Sequence, residues 1–195
     1  FALMNKLLII IGIVILISCN SNKNPKIIIS TSVGNIEAEL FPDKAPKSVA
    51  AFLSYVDSGL YNNSSFYRVL LEETMSDNNT GLIQGGIWQT NGKKMSELKG
   101  IEHESPKQTG VSHTSGTLSL ARLNPGTASS EFFICIGDQT AYDSGSTSGE
   151  GDGLGYAAFG RVVSGMEIVR EIQNQPANGQ SFSKPIVIFN IKRLK

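Results

Sequence analysis

Three short stretches hold the residues best suited to chemistry: Phe66-Tyr67-Arg68, Gln84-Gly85-Gly86 and Ser129-Ser130-Glu131-Phe132-Phe133-Ile134. They set one arginine, one carboxamide and one buried-type aromatic on successive strand-like segments. That set suits a shallow apolar pocket with a single cation at its wall. Such a site can grip a proline ring and hydrogen-bond the nitrogen beside it. No nucleophile motif, metal cluster or phosphate loop competes, so no cofactor and no metal are expected. Glu102-His103-Glu104 invites a metal reading, but the second histidine, His113, does not stand at the i+4 spacing of a helical zinc motif. The three are expected to be surface-loop polarity. Cys135 lies in the apolar run Phe132 to Ile136 and reads as a small buried hydrophobe.

The elements that must position these residues are mostly strands. Lys26 to Thr31 opens the fold, the chain turns at Ser32 to Asn35, and Ile36 to Phe41 returns. In the return strand Ile36, Ala38 and Leu40 alternate with Glu37 and Glu39, a period of two. A helix follows from Pro46, with Val49, Phe52, Leu53 and Val56 forming an apolar stripe and Gly59 ending it. Short strands are predicted at Phe66 to Leu70, Leu82 to Gln84, Thr117 to Ala121, Phe132 to Ile136 and Ala157 to Val163. A second helix runs from Met166 to about Gln173, and a last strand covers Ile186 to Arg193. About eight strands with two helices and no β-α-β rhythm predict a mainly β fold. The expectation is a closed eight-stranded antiparallel β-barrel capped by two α-helices. Strand alternation puts Phe132 and Phe133 on opposite faces, with Phe66 and Val69 left to the core. Trp88 is expected to pack at the barrel edge. The Gly- and Ser-rich segment from Asp143 to Gly153 reads as a surface loop; Asp143, Glu150 and Asp152 in it do not match a calcium-loop pattern.

The chain of 195 residues suffices for one domain with a real core. Lys plus Arg and Asp plus Glu balance at 17 each, which argues against nucleic acid as a partner. Residues 1–18 read as a signal peptide: Met4-Asn5-Lys6 gives a positive start, and the apolar run Leu7 to Ile17 is shorter than the ~20 residues of a membrane span. The run ends Leu16-Ile17-Ser18-Cys19, which resembles a bacterial lipoprotein processing site. That resemblance implies cleavage before Cys19 and lipidation of its thiol, with residues 19–25 as lipidated cysteine and polar tether. The domain is expected over 26–195, anchored to a membrane by its N-terminal lipid. Its expected place is the extracytoplasmic side of a bacterial envelope, periplasmic if there are two membranes.

Further motifs extend the pattern. Ala45-Pro46-Lys47-Ser48-Val49 with Phe52, Phe66-Tyr67-Arg68-Val69, Ile83-Gln84-Gly85-Gly86, Gly116-Thr117-Leu118-Ser119-Leu120-Ala121, Glu131-Phe132-Phe133-Ile134 and Phe159-Gly160-Arg161-Val162-Val163-Ser164-Gly165-Met166 occur in this order. Each is weak alone. Together they resemble the cyclophilin-type peptidyl-prolyl cis-trans isomerases over essentially all of 26–195. The resemblance implies rotation of X-Pro bonds in extended or unfolded proline-containing polypeptides, as an aid to folding, by a monomer. It makes Arg68 the catalytic donor and Phe133 the pocket floor, with Leu82 and Tyr142 as pocket residues. It also implies that Gln84 bonds the substrate backbone, that the Arg122 main chain pairs with the peptide, and that Tyr156 stands at a position of His or Tyr.

Three departures from the family pattern stand out. Glu131 occupies a position where Gln is commoner; an ionised carboxylate accepts but cannot donate, and a pairing with Arg68 is one expected use. Ala141 falls near the position of a Trp in drug-sensitive members, which implies weak cyclosporin binding. The segment Glu72 to Thr80 is longer than usual and is expected to alter one rim of the groove. Two other readings follow from different classes. One is a non-catalytic proline-peptide-binding or scaffold lipoprotein, which binds without accelerating. The other is a carrier of small apolar ligands, which would need a roomy barrel, whereas Ile36, Leu40, Leu118 and Ile134 are bulky enough to fill it.

Overall fold

The computed structural model describes residues 24–74, 79–145 and 152–194. Its elements are β1 (Lys26–Thr31), β2 (Asn35–Leu40), α1 (Pro46–Asp57), β3 (Ser64–Glu72), β4 (Thr80–Gly86), α2 (Trp88–Glu97), α3 (Pro106–Thr109), β5 (Thr117–Leu120), β6 (Phe132–Ile136), β7 (Ala157–Ser164), α4 (Met166–Gln173), β8 (Ala177–Asn178) and β9 (Ser181–Leu194). The sheet runs β1-β2-β7-β5-β6-β4-β3-β9, and β9 pairs back onto β1. Eight antiparallel strands therefore close into a barrel, with β8 paired only to β9. Closure removes the open edges that a sheet would otherwise present to other chains.

Alternation builds the interior. Ile27, Ile29, Ile36, Ala38, Leu40, Leu118 and Ile134 are fully buried, so the barrel is filled by side chains and leaves no room for a carried ligand. α1 lays Val49, Phe52, Leu53 and Val56 into the core, as its stripe predicts. Phe52 meets Tyr61, Phe132 and Phe159 at ring distances of 5.3, 5.5 and 5.0 Å. Truncating such a buried ring costs about 3–5 kcal/mol. α1 packs against β7 and β9, and α4 against β2, β3, β4 and β6.

The helix count exceeds the expected two: four are present among the described residues. The additions, α2 and α3, lie between β4 and β5. α2 buries none of its residues and is kinked at Asn91, so no apolar stripe announces it. α3 is a single turn with a Ser105–Gln108 capping box. β9 also starts five residues before the predicted Ile186, through Pro185, because its first part pairs with β8 and with Arg68 of β3.

Glu104 corrects the surface-loop expectation for Glu102-His103-Glu104. α1 starts with Pro46, and its N-cap, Ala45, carries no side chain able to cap. The buried Glu104 carboxylate fills the role from a distant loop, accepting from Lys47 N at 3.0 Å, Ser48 N at 2.8 Å and Ser48 Oγ at 2.7 Å. Glu102 is exposed and pairs with Lys47, and His103 is half-buried against solvent. The described ends of the long β3–β4 connection are held by α4: Gln173 Nε2 donates to the carbonyls of Leu70 and Thr80, and Arg170 to that of Asn79. Residues 75–78 of that connection, with Cys19 and the predicted leader, lie outside the described residues.

Candidate active site

A bulge aims the arginine. Between β3 and β4 the register steps from Phe66↔Gly85 to Arg68↔Gln84, so Tyr67 is an extra residue on β3. Strict alternation would send Arg68 to the same side as Phe66. Instead Phe66 and Val69 enter the core, Arg68 lines the groove, and Tyr67 is buried with its hydroxyl bonded to Gln84 and Glu131. The same irregularity interrupts the β3–β9 ladder, and it brings Gln180 beside Arg68, with Val69 N bonded to Gln180 O at 2.9 Å.

Arg68 is thereby clamped. Its Nε and Nη2 donate to Gln180 Oε1 at 2.9 and 2.6 Å, and its Nη1 donates to Gln84 Oε1 at 2.9 Å. Gln84 Nε2 donates in turn to the Tyr67 hydroxyl at 2.9 Å, which donates to Glu131 Oε2 at 2.8 Å. Glu131 therefore does not pair with Arg68, contrary to expectation. The two are joined through Gln84 and Tyr67, because Glu131 is drawn to the backbone N–H groups of Ile87 and Trp88 at 2.8 and 3.1 Å. Burial raises the Glu131 carboxyl above its ordinary range, opposed by bonds from Tyr67, Ser130, Ile87 and Trp88. Gly86 makes room for this carboxylate: its φ is +149° and a Cβ there would overlap Glu131.

Beside the guanidinium lies an apolar floor. Leu82, Phe133 and Cys135 form a buried cluster apart from the main core, covered by Leu70, Ala121, Tyr142 and Tyr156. Phe132, one residue away, points into the barrel. Tyr142 and Tyr156 stand edge-on to Phe133 at 5.6 Å each and 5.4 Å from one another. The pocket has a volume of about 450 Å³, and its walls include all eight residues singled out in the sequence: Arg68, Leu82, Gln84, Arg122, Glu131, Phe133, Tyr142 and Tyr156. That size is ample for a proline ring and its flanking backbone. Ala141 is exposed in the short 3-10 turn Thr140–Tyr142 and forms no part of the wall. Cys135 is buried, and burial pushes its thiol up, away from reactivity.

Residues that sequence reasoning missed support the walls. Trp88 is half-exposed, lies 5.2 Å from the Tyr67 ring and lines the groove, so it is a rim residue and not edge packing. His113 is fully buried behind Phe133, stacked at 5.9 Å, with its ring nitrogens at 2.7 Å from Asp143 Oδ1 and 2.9 Å from Ser119 Oγ. Burial lowers its proton affinity and Asp143 partly restores it. The Arg122 side chain forms a forked pair with Asp152 at 2.8 and 2.9 Å and lies 5.0 Å from the Tyr156 ring. The bonds from Arg122 lower the Asp152 carboxyl to about 2. Asp143 and Asp152 are thus occupied in structural bonds, and Glu150 lies outside the described residues. Gln180 stands in the turn between β8 and β9, where no periodic signal marks it, and its carbonyl is tied to Val69 N.

The barrel thus carries a groove in which the clamped Arg68 guanidinium stands beside an aromatic floor. The family model for cyclophilin type peptidyl-prolyl cis-trans isomerase/CLD matches residues 26–193. A peptidyl-prolyl cis-trans isomerase of Acinetobacter baylyi is 37% identical over 84% of this chain and 80% of its own length. Peptidyl-prolyl cis-trans isomerase B of Escherichia coli is 37% identical over 77% and 85% respectively. In fold, a crystal structure of a Cryptosporidium parvum cyclophilin type peptidyl-prolyl cis-trans isomerase aligns with a TM-score of 0.69 at 22% identity, covering 88% of this chain and 98% of that one. The chain belongs to the cyclophilin-type peptidyl-prolyl cis-trans isomerase family, and the reaction it catalyses is rotation about the X-Pro bond.

Proposed function

We propose that Arg68 supplies the catalysis. Amide resonance sets a barrier of roughly 18–20 kcal/mol to rotation. Twisting the bond breaks the resonance and returns a lone pair to the prolyl nitrogen. A fixed donor aimed at that nitrogen binds the twisted state better than either planar one, which lowers the barrier. The observation that carries this is the clamp: three guanidinium N–H groups are held by Gln84 and Gln180 beside the Phe133 floor. Of the five N–H groups of a guanidinium, two remain for a ligand. The ring sits on Phe133 and Leu82 between Tyr142 and Tyr156, and the main chain beside Arg122 pairs with the peptide.

The substrates we infer are extended or unfolded polypeptides outside the cytoplasm, served by a monomer tethered through a lipid on Cys19. The support is the run Leu16-Ile17-Ser18-Cys19 and the polar residues that follow. Among the described residues no helix is long and apolar enough to cross a membrane.

The test is isomerisation of a proline peptide by the domain from residue 24 onward, followed by exchange NMR. Arg68→Ala should lose about 10²- to 10³-fold in kcat/KM, the scale of one lost oxyanion-type donor. Undiminished turnover by Arg68→Ala would refute the mechanism. Peptide binding by the intact domain without acceleration would favour the scaffold reading.

A further inference from the structure

Glu131 never touches Arg68, yet its two oxygens dictate the direction of every hydrogen bond between them. Oε1 accepts from Ile87 N at 2.8 Å, Trp88 N at 3.1 Å and Ser130 Oγ at 3.0 Å. Oε2 accepts from the Tyr67 hydroxyl at 2.8 Å. An ionised carboxylate has no proton to give, so Tyr67 must donate to it. The Tyr67 oxygen is then left to accept, and takes Gln84 Nε2 at 2.9 Å. That turns Gln84 Oε1 towards Arg68, whose guanidinium can only donate, at 2.9 Å. The chain has one self-consistent polarity, with an anion at one end and a cation at the other.

A carboxamide at the same place reverses it. The three donors around Oε1 would hold the amide oxygen there and put the amide nitrogen where Oε2 now meets Tyr67. The Tyr67 oxygen would accept from that nitrogen, and its proton would turn to Gln84. To receive that proton Gln84 would present its oxygen to Tyr67 and its NH₂ to Arg68, donor against donor, and Arg68 would lose one of its three anchoring bonds; otherwise the buried Tyr67 proton is left without an acceptor.

We propose that ionised Glu131 is a positioning residue that sets the hydrogen-bond polarity of the Tyr67–Gln84 chain and so holds Arg68 aimed into the pocket. The proposal rests on the reading of Arg68 as the catalytic donor. Protonation of Glu131 should act as the carboxamide does, since Oε1 is crowded by donors and the proton falls on Oε2, facing Tyr67. The carboxyl already lies above its ordinary range through burial. The groups that face it hold their states as pH falls. Tyr67 on β3 and Tyr61 before it have hydroxyls pushed up by burial, and Arg68 keeps its charge. Arg122 is committed to Asp152, and Lys93 and Lys94 of α2 are exposed.

The experiment measures kcat and KM on an uncharged proline peptide, from neutral pH down through the carboxylate range, for the wild type, Glu131→Gln, Tyr67→Phe, their double variant and Arg68→Ala. The wild type should lose kcat on acidification. Glu131→Gln should run about tenfold lower at neutral pH, the scale of one hydrogen bond to a charged group, with KM little changed and the acid limb gone. Tyr67→Phe should lose a similar factor, and the double variant no more than either alone, because both break one chain. An acid limb persisting in Glu131→Gln, or a loss confined to KM, overturns the proposal. Should Glu131→Gln fail to fold, Tyr67→Phe, which removes one oxygen, decides: an undiminished kcat with an unchanged acid limb overturns the proposal. Full activity in Arg68→Ala overturns instead the catalytic reading beneath it.

Discussion

At the scale of single residues, His113 shows how a buried group serves the site without facing substrate. Its ring backs the Phe133 floor and spans Asp143 and Ser119. Burial depresses its proton affinity, so the folded chain binds that proton less readily than the unfolded one. Stability should therefore fall once pH drops below the ordinary imidazole range near ~6.5, where the unfolded chain gains a proton the folded chain lacks. The thermal midpoint should decline between about pH 7.5 and about pH 5.5 more steeply in the wild type than in His113→Gln. Equal slopes would place the titration elsewhere. In the sequence His113 is one of two histidines with no partnering motif; its role arises because β5, β6 and the 3-10 turn converge, which no local pattern records.

Among the elements, the dependence of α1 on Glu104 and the bulge in β3 carry the most weight. α1 presents the core with Phe52, but its first turn depends on a carboxylate more than fifty residues away in sequence. Glu104→Ala should cost about 2 kcal/mol in chemical denaturation, as two amides and a hydroxyl lose their acceptor. Glu104→Gln should cost less. A loss within a few tenths of a kcal/mol for Glu104→Ala would mean that water replaces the cap at no cost. The bulge at Tyr67 has the opposite character: it spends one ladder position to turn Arg68 into the groove. The pattern Phe66–Val69, apolar at both ends of four residues, fits that bulge, yet period-two reading alone sends Arg68 inward.

For the molecule as a whole, closure of β9 onto β1 joins the two ends of the barrel, from residue 26 to 194, into one sheet. The domain from residue 24 onward should fold and isomerise without what precedes it. If Cys19 bears the proposed lipid, the full chain should fractionate with membranes, and Cys19→Ser should release it with kcat/KM unchanged. Membrane association that survives Cys19→Ser would mean that another feature anchors the chain.

The sequence alone pointed to the barrel, because alternation, turn residues and the apolar stripes of α1 and α4 are local signals of a buried face. The resemblance of its motifs to the cyclophilin family also pointed to the eight residues that line the pocket. Only the tertiary structure decided how they are aimed. Gln180, Tyr67, Trp88 and His113 act through contacts between distant segments, and α2 buries nothing that a periodicity can register. The partner of Glu131 was decided there too. A carboxylate two residues from Phe133 has Arg68 as its obvious counter-charge in the sequence. In space the free amides at the β4–α2 junction lie nearer, and a buried anion goes to the donors that can be reached without crossing the pocket.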